Sequence, residues 1–192
     1  MSIFKEQTLG EEIANTISQG LGELLSIAGL VLLVVFASIK GGPWHIVSFS
    51  IFGASMVVLY LFSTLMHGAQ KKETKDVLRI FDHISIYVLI AGTYTPFCLV
   101  ALHGSLGWTI FGIEWGLAII GILMKTAFGD YFIYKSKWVS TLFYVIMGWI
   151  IVIGIQPLKD AIGVNGLIWL FIGGGCYTLG IIFFAMRKLK YS

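Results

Sequence analysis

IVSFSIFGASMVVLYLFSTLM, residues 46–66, contains no charged side chain and runs directly into His67. At the rise of an α-helix it reaches about 30 Å, the thickness of the hydrocarbon core of a bilayer. Only a helix or a closed barrel satisfies its backbone polar groups internally once water is excluded, so this stretch reads as a membrane-spanning helix. Five more windows of similar length and mostly apolar content, about 21–39, 83–101, 108–126, 138–156 and 165–186, take up most of the remaining chain. Composition agrees, with 57% apolar residues, 12% charged residues and a mean hydropathy of +0.89 over 192 residues. The connections are too short for a separate soluble domain. We therefore expect an all-α membrane protein, one domain over residues 1–192, with six transmembrane helices in a single bundle.

Lysine and arginine collect in cytoplasmic loops. With Met1 inside, 11 of the 13 basic residues fall on one side of the membrane, leaving Lys40 and Lys159 on the other. The expected topology has a cytoplasmic N-terminus in a multi-pass cell-membrane protein. This bias and the attraction of juxtamembrane lysines to anionic headgroups account for the net charge of +3, so membrane lipids are the expected partners and nucleic acid is not. The first 20 residues mix acids with apolar residues and lack a signal-peptide pattern, so the first span is expected to act as its own signal. Cys98 and Cys176 fall at different depths of their spans and are not expected to pair. Oligomeric state is left open by the sequence.

Thr8 and Glu11 have the spacing of a capping box, which predicts a helix start. From there Leu9, Ile13, Ile17 and Leu21 form an apolar stripe, while Glu12, Asn15, Gln19, Glu23 and Ser26 form a polar one. A short amphipathic helix over about 8–20 is expected to lead into the first span. It either lies in the interface or turns its polar stripe over the mouth of a polar cavity. Glu23 favours the second, because an acid inside an apolar window needs a partner.

Other features read as architecture. Pro96 predicts a kink in the third span, with Thr93 and Thr95 placed to satisfy freed carbonyls. The pair Gly112 and Gly116, and the group Gly173, Gly174, Gly175 and Gly180, predict thin faces for close helix packing. Glu114 is expected to snorkel outward, and His45 and His103 to be solvated in short outer connections.

The chemistry concentrates elsewhere. Ser63 and His67 stand four residues apart and share a helix face, and Asp82 and His83 begin the next span from the same side of the membrane. Ionisable groups at such depth cost roughly 2.5 to 3.5 kcal/mol on insertion scales and therefore mark function. In one reading His67 is a zinc ligand, Asp82 holds a metal-bound water and Ser63 positions water or substrate. In a second, Ser63 is a nucleophile with His67 as base, although no oxyanion hole is visible. A third makes the triplet an interhelical clamp worth about 1 kcal/mol per polar contact. His83 is a poorer alternative ligand, since adjacent helical positions diverge.

Ser63-x-x-x-His67, with Phe81-Asp82-His83 and the run from Tyr87 to Pro96 that contains Ala91-Gly92-Thr93-Tyr94-Thr95-Pro96, resembles the hemolysin III branch of the progestin and adipoQ receptor family. Glu12-x-x-Asn15 followed by Gly20 resembles that family's opening motif, with Gln19 where the family usually has histidine. The resemblance implies a seven-helix bundle and a zinc ion held by His67 and by two histidines four residues apart on a seventh helix. It gives Asp82 the water-holding role and Ser63 that of the nearby hydroxyl. The two further ligands have no counterpart among the 4 histidines present, so the expected zinc site is incomplete in these residues, which are expected either to belong to a longer protein, the favoured reading, or to be a short relative that has lost the site. The functions implied are a metal-dependent hydrolase of lipid amide or ester bonds, a pore-forming cytolysin, or a non-catalytic sensor of membrane state.

Overall fold

The computed structural model describes residues 8–128 and 137–185, and among them there is no strand. Helix α1 (Leu9–Lys40) is followed by α2 (Pro43–Gly68) and α3 (Lys72–Pro96). A π-helical turn, Phe97–Leu102, extends α3, and α4 (Gly104–Ala127) returns across the bundle. Helix α5 (Lys137–Trp149) passes through a 3-10 stretch, Ile150–Gly154, into α6 (Ile155–Ala185). Five segments among the described residues are long and apolar enough to cross a membrane, and the protein is a multi-pass α-helical membrane protein. The last segment, Val139–Ile181, has 43 residues, or about 65 Å if fully helical, twice what one crossing needs. It breaks at Gly163, whose φ of 70° is a conformation that side chains with a Cβ rarely adopt. Residues 155–162, partly assigned to a loop by hydropathy, continue as helix up to that break. The basic run Arg187 to Lys190 and the end of the sixth window lie outside the described residues.

The first helix begins where the capping box predicts. The Thr8 amide donates to Glu11 Oε2 at 2.7 Å and the Glu11 amide to Thr8 Oγ1 at 3.3 Å, which satisfies two orphan amides. The amphipathic stretch and the first span are one unbroken helix of 32 residues. Its apolar stripe points outward, with Leu9, Ile13, Ile17 and Leu21 all exposed on the bundle surface. Its polar stripe, including Glu12, Asn15, Gln19 and Glu23, is partly buried against the bundle. A soluble protein would place these faces the other way; against lipid tails outward leucines cost nothing, and inward Glu12 finds partners.

Helix α1 packs on α2, α2 on α3 and α3 on α4, with α5 and α6 completing the far side. The core is built around α3: Tyr87, Ile90, Ala91 and Tyr94 meet Ile110 and Ala118 of α4, Tyr144 and Met147 of α5, and Leu158 of α6. At Pro96 the chain loses one backbone donor, and the π-helical turn starts at the next residue. Thr93 and Thr95 donate to the carbonyls of Leu89 and Ala91, at 2.8 and 2.9 Å, rather than to the Gly92 carbonyl opposite the missing donor.

Several expectations are corrected here. Among the described residues nothing lies within 4 Å of the Cβ positions of Gly112, Gly116, Gly173, Gly174, Gly175 or Gly180, so close packing between described helices does not run through these glycines. Close approach occurs instead at Gly53, whose Cβ would stand 3.0 Å from Leu30 Cα, and at Gly92, Gly107 and Gly121, against Ser55, the Cys98 carbonyl and the Tyr87 ring. Small residues predict thinness; which face meets a neighbour depends on helix rotation. Glu114 does not snorkel but is fully buried in the bundle. Lys125 is buried near the end of α4. His45 accepts from the Gly42 amide at 3.3 Å and so caps α2, and His103 bonds the Leu99 carbonyl at 2.9 Å while its ring packs on Trp44. Neither is merely solvated.

Candidate functional site

The polar stripe of α1 meets the end of α2 and the start of α3 at Glu12. The contact between helices is close there: a Cβ on Gly68 would stand 3.7 Å from Thr16 Cγ2, and one on Gly20 would stand 3.8 Å from Thr64 Cγ2. That proximity sets the Glu12 carboxylate beside two cations or potential cations. Its Oε2 lies 2.9 Å from His67 Nδ1, and its Oε1 forms an ion pair with Lys75 Nζ. His67 occupies the last turn of α2. Lys75 belongs to the first turns of α3, brought alongside by the short connection at residues 69–71.

The chemistry of this contact follows from its partners. A carboxylate paired with Lys75 can only accept, so His67 donates its Nδ1 hydrogen to Glu12. The neutral ring then carries its lone pair on Nε2. A carboxylate holding one nitrogen of an imidazole while the other is offered outward is how metal-ligating or basic histidines are oriented.

Ser63 is buried one turn before His67 on the same helix. Asp82 sits on α3 with Oδ2 3.5 Å from His83 Nδ1, and the His83 nitrogen lies 2.8 Å from the Arg79 carbonyl. Phe62 and Phe81 stack with ring centroids 4.9 Å apart, so the neighbouring Ser63 and Asp82 come from the same level of α2 and α3. The side-chain contact of His67 is with Glu12, not Asp82. Glu23 lies farther along the inward stripe, with a buried Oε2 that has no hydrogen-bond partner among the described residues. Sequence reading had placed Glu12 in an accessory stripe and had not singled out Lys75. The available signal was a lysine within one turn of the start of α3, at the membrane side on which His67 ends.

Zinc is the metal that the family resemblance implies. Among the described residues no group of three histidine, cysteine, aspartate or glutamate side chains is arranged to hold a metal ion. A catalytic zinc takes three protein ligands. His67 offers one nitrogen and the described residues bring no second and third ligand beside it, so they do not fit a complete zinc site.

Comparison with known proteins places the chain. The family model described as "Haemolysin-III related" matches residues 7–191. The chain is 50% identical over 184 residues to the Hemolysin-3 homolog of Bacillus subtilis (strain 168), covering 96% of this chain and 84% of that protein. It is 46% identical over 186 residues to Hemolysin-3 of Bacillus cereus, covering 97% and 83%. A weaker likeness, 26% over 182 residues, covering 92% of this chain and 72% of the other, joins it to the human Monocyte to macrophage differentiation factor. No solved structure matches.

Proposed function

Because the chain belongs to the Haemolysin-III related family, we propose that it is a lipid-handling membrane protein whose polar site lies at the cytoplasmic end of a bundle crossing the membrane six times. The site comprises Ser63, His67 and Asp82, with Glu12 and Lys75 holding the histidine. The observation that carries this reading is the 2.9 Å contact between Glu12 and His67. It fixes the ring against α1 and leaves Nε2 as a base or ligand. Lipid amide or ester groups are the substrate class that suits a polar site at the membrane surface. Hydrolysis assisted by zinc would require two further ligands beside His67.

The zinc content of the purified protein tests this. The 192-residue chain is expected to carry well under one zinc per chain. A version extended by a helix with two histidines four residues apart is expected to carry about one, and His67→Ala in that version to lose it. Gln19→His should change little. Stoichiometric zinc in the unextended chain would show that other residues complete the site.

A second reading, a sensor of membrane state, is favoured by one feature. Glu12 ties α1 to both α2 and α3, so that releasing a single carboxylate would uncouple three helices. Cytolysis is what the names of the relatives suggest, and it draws support from those names rather than from geometry.

A further inference from the structure

Glu114 is 0% exposed, and neither carboxylate oxygen has a hydrogen-bond partner among the described residues. It stands in the middle of α4, far from the Glu12 site. The titratable groups that face it are Tyr94 of α3, Cys98 of the π-helical turn and Tyr177 of α6, each close enough to feel its charge. None is a cation. Lys125 lies eleven positions along the same helix, about 16 Å away by helical rise, too far to neutralise it. Among the described residues Glu114 has no hydrogen-bond partner and no cation beside it, and an ionised carboxylate so placed in a bilayer-embedded core is penalised by several kcal/mol and instead takes up a proton.

The surroundings are rich in tyrosine hydroxyl groups, most of them committed to the backbone. The Tyr94 hydroxyl accepts from the Ile151 amide at 2.9 Å, which leaves its own hydrogen to donate. Tyr177 donates to the Tyr144 carbonyl at 2.6 Å, and Tyr144 donates to the His83 carbonyl at 3.1 Å. The rings of Tyr87 and Tyr144 pack with centroids 4.7 Å apart. Tyr177 and Tyr144 thus each end on a backbone carbonyl, and Glu114 shares no hydrogen bond with them.

We propose that Glu114 is an intramembrane proton-binding site, a carboxyl group that holds a proton in the bundle core among Tyr94, Cys98 and Tyr177. This role is separate from the His67 site and stands whether or not that site binds metal.

Infrared spectroscopy and carbodiimide labelling of the full chain in lipid vesicles test it. Difference spectra between the natural chain and Glu114→Gln are expected to show, at neutral pH, the carbonyl stretch of a protonated acid, lost in the variant. Dicyclohexylcarbodiimide adds the acid O–H across one of its C=N bonds and rearranges to a stable acylurea. The adduct should map to Glu114 and not to ion-paired Glu12, form more slowly as pH rises, and be indifferent to replacing choline chloride with sodium or potassium chloride. Carboxylate bands in place of the acid carbonyl would overturn the proposal. Protection of Glu114 from the carbodiimide by sodium or potassium at fixed pH would also overturn it, since the site would then bind a metal cation. The natural chain alone decides the labelling arms, so a poorly folded variant does not leave the question open.

Discussion

Glu12→Ala is expected to destabilise the bundle by about 2 to 4 kcal/mol, because it removes the acceptor of two charge-assisted hydrogen bonds, each worth roughly 1.5 to 3 kcal/mol. The lower half of that range reflects the partial exposure of the participants, with side chains of His67, Glu12 and Lys75 13%, 16% and 21% accessible. The loss should be read from unfolding in mixed micelles as the fraction of denaturing detergent rises. Glu73→Ala, at an exposed position in the first turn of α3, serves as the control and should fall within about 0.5 kcal/mol of the natural chain. In a double-mutant cycle Glu12→Ala and Lys75→Ala should be coupled by about 1 kcal/mol or more. Additivity of the two would mean that the ion pair contributes nothing.

A second large effect is expected at Gly107. A Cβ there would collide with the Cys98 carbonyl oxygen, an atom of the backbone that already accepts from the His103 amide at 3.1 Å. Neither side of that contact is a flexible side-chain tip, so relief requires moving the corner between the π-helical turn and α4. Gly107→Ala should therefore cost about 3 kcal/mol, the upper part of the usual overpacking range. Gly112→Ala, five residues along the same helix and open on its Cβ side, should be neutral or gain up to about 1 kcal/mol from helix propensity. The same unfolding assay separates them. Equal effects would place the wrong face of α4 against the π-helical turn.

The contrast between these glycines shows what was legible in the sequence and what was not. Apolar length is local information, so the windows at 46–66, 83–101 and 108–126 all fall inside observed helices. The capping box at Thr8 and Glu11 is equally local. Helix rotation is not. A glycine pair at 112 and 116 looks the same whether it faces a neighbour or lipid, and hydropathy cannot orient a helix that is apolar all round. Glu114 was misread for that reason: α4 lacks a polar stripe against which its direction could be judged. In α1 such a stripe exists and faces inward, although it is Glu12, not Glu23, whose carboxylate finds charged partners there. The site was legible in part. Ser63 and His67 share a helix by their spacing, whereas the pairing of His67 with Glu12 joins residues 55 positions apart and depends on how α1 leans on α2.

Cysteine cross-linking at that α1–α2 contact tests the central claim, that the polar stripe of α1 holds His67. In a Cys98→Ala, Cys176→Ala background, Thr16→Cys with Gly68→Cys should form an intramolecular disulfide on mild oxidation. The 3.7 Å between Thr16 Cγ2 and the Gly68 Cβ position puts the two side chains in van der Waals contact across α1 and α2, within reach of the bond after a small adjustment. Ile17→Cys with Gly68→Cys, one position around α1 on its exposed face, should remain reduced under the same conditions. Efficient cross-linking of the Ile17 pair with none from the Thr16 pair would rotate the polar stripe away from α2 and contradict the assignment of Glu12 to His67.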